Sequence, residues 1–286
     1  MTTDVIDRAL RASWYDLPAE RVADYLAWAH GSYLPALLKR EGCLWAAHYA
    51  AVEKKQRQHW PRESTLKKCS DPAVPAGRQY IMIVGAADAN VFGEPDWRKL
   101  DAALPEADQQ MLALRQGVYT NVMVEAARVE GPAAKTYANG MQPPPCIQFG
   151  NFNIDWRDEP DVLAWYANWR MPAVRDLPGV VRTRRLCSIV GWAKHGVFYE
   201  FTSLDMRNAH FLPHEDAHPE IKAYSDVMVQ KLTHAPASST LATRRTSKLS
   251  AVAETGLLSG SSTSKRTRAS WDKRAPRQRR QRAGRP

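Results

Sequence analysis

Four cysteines in 286 residues, at positions 43, 69, 146 and 187, form no CxxC pair. Such scatter implies neither a zinc site nor a disulfide framework, and incidental thiols are the simpler account. No apolar run reaches the roughly 18 residues needed to cross a bilayer. The first ten residues carry Asp4 and Asp7 and lack an apolar stretch, so they do not read as a secretion signal, and the cytoplasm is the expected location. Gly256 and Gly260 lack the strand, lysine and helix that a phosphate loop requires. A GxSxG elbow and a Cys–His pair of recognisable spacing are missing too, so no nucleophile motif is written.

What is present is a long, moderately apolar chain with an unusual end. At 44% hydrophobic residues it can bury a sizeable core. Its net charge of +10 is concentrated in one place: residues 241–286 hold 13 Lys and Arg against Glu254 and Asp272, which leaves −1 for the 240 residues before them. Nucleic-acid contact therefore has no basis in the body of the protein. The tail itself, densest at Arg277–Arg282, could contact nucleic acid or an anionic surface through charge alone.

A repeat organises the rest. Leu26, Ala27, Trp28, Pro35, Ala36 and Gly42 recur as Leu163, Ala164, Trp165, Pro172, Ala173 and Gly179, at a constant offset of 137 without a gap. The duplicated stretch has helical period, with Val22, Tyr25, Leu26, Ala29, Tyr33, Leu37 and Leu38 recurring at three- and four-residue spacing; Pro35 should bend it and Gly42 end it. Strands are expected at 9–16, 42–52, 80–85 and 119–129, with a second helix at 105–116. The order β-α-β-β-α-β is the split βαβ unit. On the second strand Trp45, Ala47 and Tyr49 share one face, and Leu44, Ala46 and His48 the other. The second copy reads as strands at 146–152, 180–190 and 197–202, helices at 160–176 and 219–229, and a short closing strand at 231–234.

Domain limits follow from composition. The first unit is 8–135, with a basic, solvated insertion loop at 53–78; a Pro-rich linker covers 136–145; the second unit is 146–240; and 241–286 is a disordered basic tail. The fold class is α+β, two ferredoxin-like βαββαβ units whose antiparallel sheets pack as an intramolecular pseudo-dimeric α+β barrel.

Leu163-Ala164-Trp165-Tyr166, Pro172-Ala173, Leu177-Pro178-Gly179 and Gly196-Val197-Phe198-Tyr199-Glu200-Phe201 together resemble the dimeric α+β barrel superfamily, and within it the EthD-like and antibiotic-biosynthesis-monooxygenase-like families. The resemblance implies a barrel whose interior holds a ligand. It does not select a reaction, because that superfamily spans cofactor-free oxygenases, haem enzymes, isomerases and proteins without assigned activity.

Glu200 lies inside an apolar strand on the face of Phe198 and Thr202, and a buried charge needs a partner. Arg185 on the preceding strand is one candidate, and the 137 offset places His48 at the equivalent position of the first copy. Glu200 and His48 are the candidate acid/base groups. Arg185, Trp14, Tyr49, Trp192 and His195 are candidate ligand contacts; the plainer alternative is an ion pair across strands, one satisfied histidine and an exposed hairpin at His195. His214-Glu215-Asp216-Ala217-His218 matches HExxH, but Pro213 and Pro219 bracket it and leave no helix to aim both imidazoles at a metal, so no metal is expected.

The expectation is a monomer or homodimer that holds a small apolar or aromatic organic molecule between its sheets without a nucleotide or other cofactor. Any enzyme would be a cofactor-independent oxygenase, isomerase or cyclase. The alternative is a non-catalytic binding or scaffold protein, and the two differ in one respect. An open apolar pocket entered by Glu200 and His48 favours the first, and a filled barrel with those groups paired favours the second.

Overall fold

Leu10, Ala12 and Trp14 alternate along β1 (Ala9–Asp16) with Arg11, Ser13 and Tyr15, yet nearly every residue of the strand is buried. A strand buried on both faces needs a layer on each side. The computed structural model, which describes residues 6–52, 66–140, 142–214 and 217–246, supplies both: a closed barrel inside and helices outside.

β1 lies between β3 (Tyr80–Ala86) and β4 (Gln116–Glu130), and β3 pairs on its other edge with β2 (Cys43–Ala51). The remaining strands are β5 (Cys146–Asn153), β6 (Val180–Val190), β7 (His195–Phe201), the two-residue β8 (Thr233–His234) and β9 (Thr240–Arg245). Around the ring the order is β7-β6-β4-β1-β3-β2-β9-β5, and β5 pairs with β7 to close an antiparallel barrel of eight strands. β8 attaches to the end of β5 outside the ring. The seams join β2 to β9 and β4 to β6.

β9 corrects the expected start of the tail. The Ser-, Thr- and Arg-containing segment at 240–245 is a ring strand, with Ala242 opposite both Ala51 and Ile147. Two hydrogen-bonded neighbours supply what its composition does not. The expected closing strand at 231–234 is only the short β8. The proposed disorder of the tail, including Arg277–Arg282, concerns residues outside those described.

The two helices related by the 137 offset carry the same irregularity. α1 (Val22–Trp28) passes through a π-helical turn at Ala29–Tyr33 into α2 (Leu34–Leu37). α3 (Trp97–Ala102) and α4 (Glu106–Ala113) follow in the first half. At the 137 offset, α5 (Glu159–Trp165) passes through Tyr166–Arg170 into α6 (Met171–Arg175). α7 (Leu204–Met206) leads into a third π turn at Arg207–Phe211, and α8 (Pro219–Gln230) precedes β8. In each case a proline, Pro35, Pro172 or Pro213, stands two residues after the wide turn. Its ring would collide with the carbonyl four residues back, and the extra residue per turn moves that carbonyl aside. The expected bend at Pro35 is thus a widened turn just before it.

The insertion at 53–78 is not wholly solvated. Its residues 53–65 lie outside those described, but the Cys69 amide donates to His234 O at 2.7 Å and the His234 amide to Lys67 O at 2.8 Å. The segment therefore lies along β8, with Val74 buried.

Candidate functional site

The barrel interior is full. Trp14, Tyr119, Phe149 and Phe198 occupy its centre, with ring centroids 5.2 Å (Trp14–Tyr119), 5.1 Å (Trp14–Phe149) and 4.8 Å (Phe149–Phe198) apart. Ile81, Ile83, Tyr49 and Leu186 complete this cluster. Gly85 is required beside it, because a Cβ there would stand 2.2 Å from Trp45 Nε1.

One end of the barrel is closed by charge. Arg184 donates from Nε to Glu200 at 2.9 Å and from Nη1 to Asp7 at 2.7 Å. Arg182 pairs with Glu200 at 3.1 Å, and Arg128 with Asp7 at 3.0 Å and Glu125 at 2.8 Å. The Trp45 indole also donates to Asp7. Three carboxylates thus face three guanidiniums, and Glu200 and Arg184 are each about 1% exposed. Burial pushes the Glu200 carboxyl up, opposed by Arg184 and Arg182. The Asp7 carboxyl is also raised by burial, but Arg184 and Arg128 bring it below its ordinary value.

Glu200 and Arg185 do not meet. Arg184 and Arg182 point inward, while Arg185 points outward, its guanidinium 5.6 Å from the Tyr166 ring. His48 also faces outward. It and Tyr49 are neighbours on one strand and alternate between faces. Trp14 and Tyr49 are packed inside the barrel, the Tyr49 hydroxyl donating to Pro144 O at 3.0 Å. Trp192 packs against the edge of that cluster. The pocket expected from Glu200, Arg185 and His48 is therefore not formed.

His48 belongs to a chain of hydrogen bonds beneath α1. Arg115 Nε donates to the Tyr25 hydroxyl at 2.7 Å, Tyr25 to Tyr15 at 3.0 Å, and Tyr15 lies 2.8 Å from His48 Nε2. Each oxygen accepts one bond and donates the next, so Tyr15 donates and Nε2 is the acceptor. The Arg115 guanidinium stacks 4.7 Å from the Tyr15 centroid and 5.2 Å from that of Tyr33. Burial lowers the His48 pKa well below the usual imidazole value, helped by His30 and Arg115, and raises that of Tyr15 well above the usual phenol. This region is packed with side chains.

The corresponding place in the second half keeps space. A half-open cavity of about 60 Å³ lies between the outer face of β5 and β7 and the helical layer, lined by Phe152, Trp165, Tyr166, Arg170, Tyr199 and His234 among others. Arg170 Nε donates to the Tyr199 hydroxyl at 2.9 Å, and its Nη1 lies 3.3 Å from His214 Nε2. Arg207 holds Gln148 Oε1 with two bonds of 3.1 and 2.6 Å, orienting another lining side chain. Desolvation of the Tyr166 hydroxyl pushes its pKa well above the phenol range.

His195 is the first residue of β7 and is about 4% exposed, which corrects the exposed-hairpin alternative. Its Nε2 lies 3.0 Å from Glu159 Oε1, which also accepts from Lys194 Nζ at 2.6 Å. The Phe152 ring stands between His195 and His234, at 5.9 and 5.6 Å. Burial lowers His195, against the pull of Glu159. In the HExxH stretch, His214 is bonded to Phe211 O and Arg170, while Glu215 and Asp216 lie outside the described residues.

The buried histidines set an acid limit. Burial, with Lys68 nearby, brings His234 down to about 4. A folded value below the unfolded value near 6.5 means that the unfolded chain binds the extra proton, so stability is full above about pH 6.5 and falls as pH drops towards 4. Urea midpoints should fall steadily between pH 7 and 4.5, with His234 contributing about 3 kcal/mol by pH 4. A flatter profile in His234→Asn assigns that share; an unchanged one removes it.

Arg170, Tyr166, Tyr199 and His234 escaped the sequence reading. One signal was available: at the repeat offset Arg170 stands where the first copy has Tyr33, a charge on a helix face that is otherwise apolar.

No protein-family model and no curated protein matches the sequence. Among solved structures, the chain is similar to a candidate monooxygenase of Fusobacterium nucleatum subsp. nucleatum, with 10% identity and a TM-score of 0.51 over 84% of this chain and 92% of that one. It is also similar to an anthrone oxidase-like protein, with 10% identity and a TM-score of 0.52 over 84% and 91%. At that identity the likeness concerns the fold, an antiparallel α+β barrel, and here the eight ring strands all come from one polypeptide. Among the described residues no helix is long and apolar enough to cross a membrane.

Proposed function

We propose that this protein binds, and as an enzyme oxidises with dioxygen, a small apolar or aromatic organic molecule in the cavity under α5 and the π-helical turn that follows it, without a nucleotide cofactor. The observation that carries this reading is the aromatic wall of that cavity, with Arg170 bonded to Tyr199 beside it. The names of the two structural neighbours support oxidation as the chemistry. The filled barrel favours a non-catalytic role for the interior, so Glu200 is read as structural. The ring order, β4-β1-β3-β2 followed by β9-β5-β7-β6, supports tandem ferredoxin-like units joined through the proline-rich segment, in an EthD-like arrangement.

A thermal-shift screen with substituted naphthalenes and anthrones tests it. A ligand at a hundred times its Kd should add about 2.7 kcal/mol of stability. Val229→Trp, which fills the cavity from α8, should abolish the shift. Stabilisation by none of the ligands, or equal stabilisation in Val229→Trp, would overturn the reading. Oxygen uptake with a stabilising ligand marks an enzyme; binding without turnover marks a binding protein.

A further inference from the structure

Within the same cavity one polar atom is left over, and the inference drawn from it rests on the proposed function. His234 sits on β8, the two-residue strand outside the barrel ring, and is about 5% exposed. Its position is fixed from both sides. Its backbone amide donates to Lys67 O, its carbonyl accepts from the Cys69 amide, and its ring lies 5.6 Å from the Phe152 ring at a 54° tilt. Nδ1 is buried and has no hydrogen-bond partner.

A neutral imidazole carries one N–H and one lone pair. In the tautomer protonated at Nε2, Nδ1 presents the lone pair, an acceptor on a residue that lines the cavity. A buried acceptor left unmatched is costly, so a molecule that supplies a donor there is favoured over one that does not. The other polar groups of the wall work in the opposite sense, since Arg170 and the tyrosine hydroxyls carry protons to give.

We propose that His234 is a specificity-determining residue of this cavity: with the ring proton on Nε2, its Nδ1 accepts a hydrogen bond from a ligand hydroxyl, so the ligand class is hydroxylated arenes and not their hydrocarbons or ethers. The cavity, about 60 Å³ and half open, takes the hydroxyl edge of a ring and leaves the remainder at the mouth. The residue is supplied by a segment that the eight-stranded ring does not need, and the end of the basic insertion holds it in place.

The test uses the full chain and three matched probes, 1-naphthol, 1-methoxynaphthalene and naphthalene, with Kd measured for each at pH 7.5. One hydrogen bond to a buried acceptor should make the naphthol roughly tenfold tighter than the other two. His234→Phe should bring the three values together while naphthalene still binds. In the native chain, the 15N resonance of His234 Nδ1 should move upfield with naphthol and stay in place with naphthalene, which tests the contact without a substitution. Equal Kd values for the three probes in the native chain, or a stationary Nδ1 resonance, would overturn the role of His234 and leave the cavity reading intact. Binding of none of the three would overturn the cavity reading itself.

Discussion

Glu200→Ala should destabilise the chain by about 3–5 kcal/mol, enough to leave a marginal domain largely unfolded. The size follows from what remains. Removing Glu200 leaves Arg182 with no carboxylate in the ion set and Arg184 with Asp7 and the more distant Glu125, both guanidiniums being almost fully buried. Removing one partner of a buried set is far more costly than removing a balanced pair, since the charges left then still cancel. Arg182→Met combined with Glu200→Leu leaves Asp7 and Glu125 against Arg128 and Arg184, and should recover more than half of the loss. Denaturation midpoints of the two single variants and the double variant give the coupling directly. Glu200→Gln then separates structure from catalysis. A stable Glu200→Gln chain that binds ligand but has lost turnover would show that Glu200 acts on substrate, contrary to its place in the ion set.

Much of this arrangement could be read before the structure, and its failures share a cause. Alternation within one strand correctly put Glu200 with Phe198 and His48 opposite Tyr49. It could not say which arginine of β6 faced Glu200. Arg182, Arg184 and Arg185 span both faces of that strand, and the register shift between Val180 and Arg182 decides which of them point inward. His48 and Tyr49 could not have shared a pocket at all, because adjacent strand residues face opposite ways. The cavity was missed for a different reason. It forms where β5, β7, a π-helical turn, α8 and β8 meet, residues separated by up to 173 positions from Leu66 to Ser239, and no local period records such a meeting. β9 was missed because its stability comes from its two neighbours and not from its composition.

Trp14→Ala should cost about 3–5 kcal/mol, and the stability should be partly restored by benzene or indole. The Trp14 ring touches Tyr119 and Phe149 in the middle of the barrel, where closed strands cannot move inward to fill a gap. Deleting the ring therefore leaves a cavity, and its apolar lining makes an apolar ligand the natural occupant. Trp14→Phe provides the contrast. It keeps most of the volume and removes an indole N–H that is buried without a partner, so it should cost under half as much. If Trp14→Ala lost less than about 1 kcal/mol, the interior would not be close-packed. The ligand would then belong inside the barrel, and the case for the outer cavity would fall with it. With the large loss and rescue by benzene, the interior is a packed core that accepts a guest only when a side chain is removed. The cavity under α5 and the π-helical turn after it, lined in part by Arg170, Tyr199 and His234, then remains the proposed ligand site.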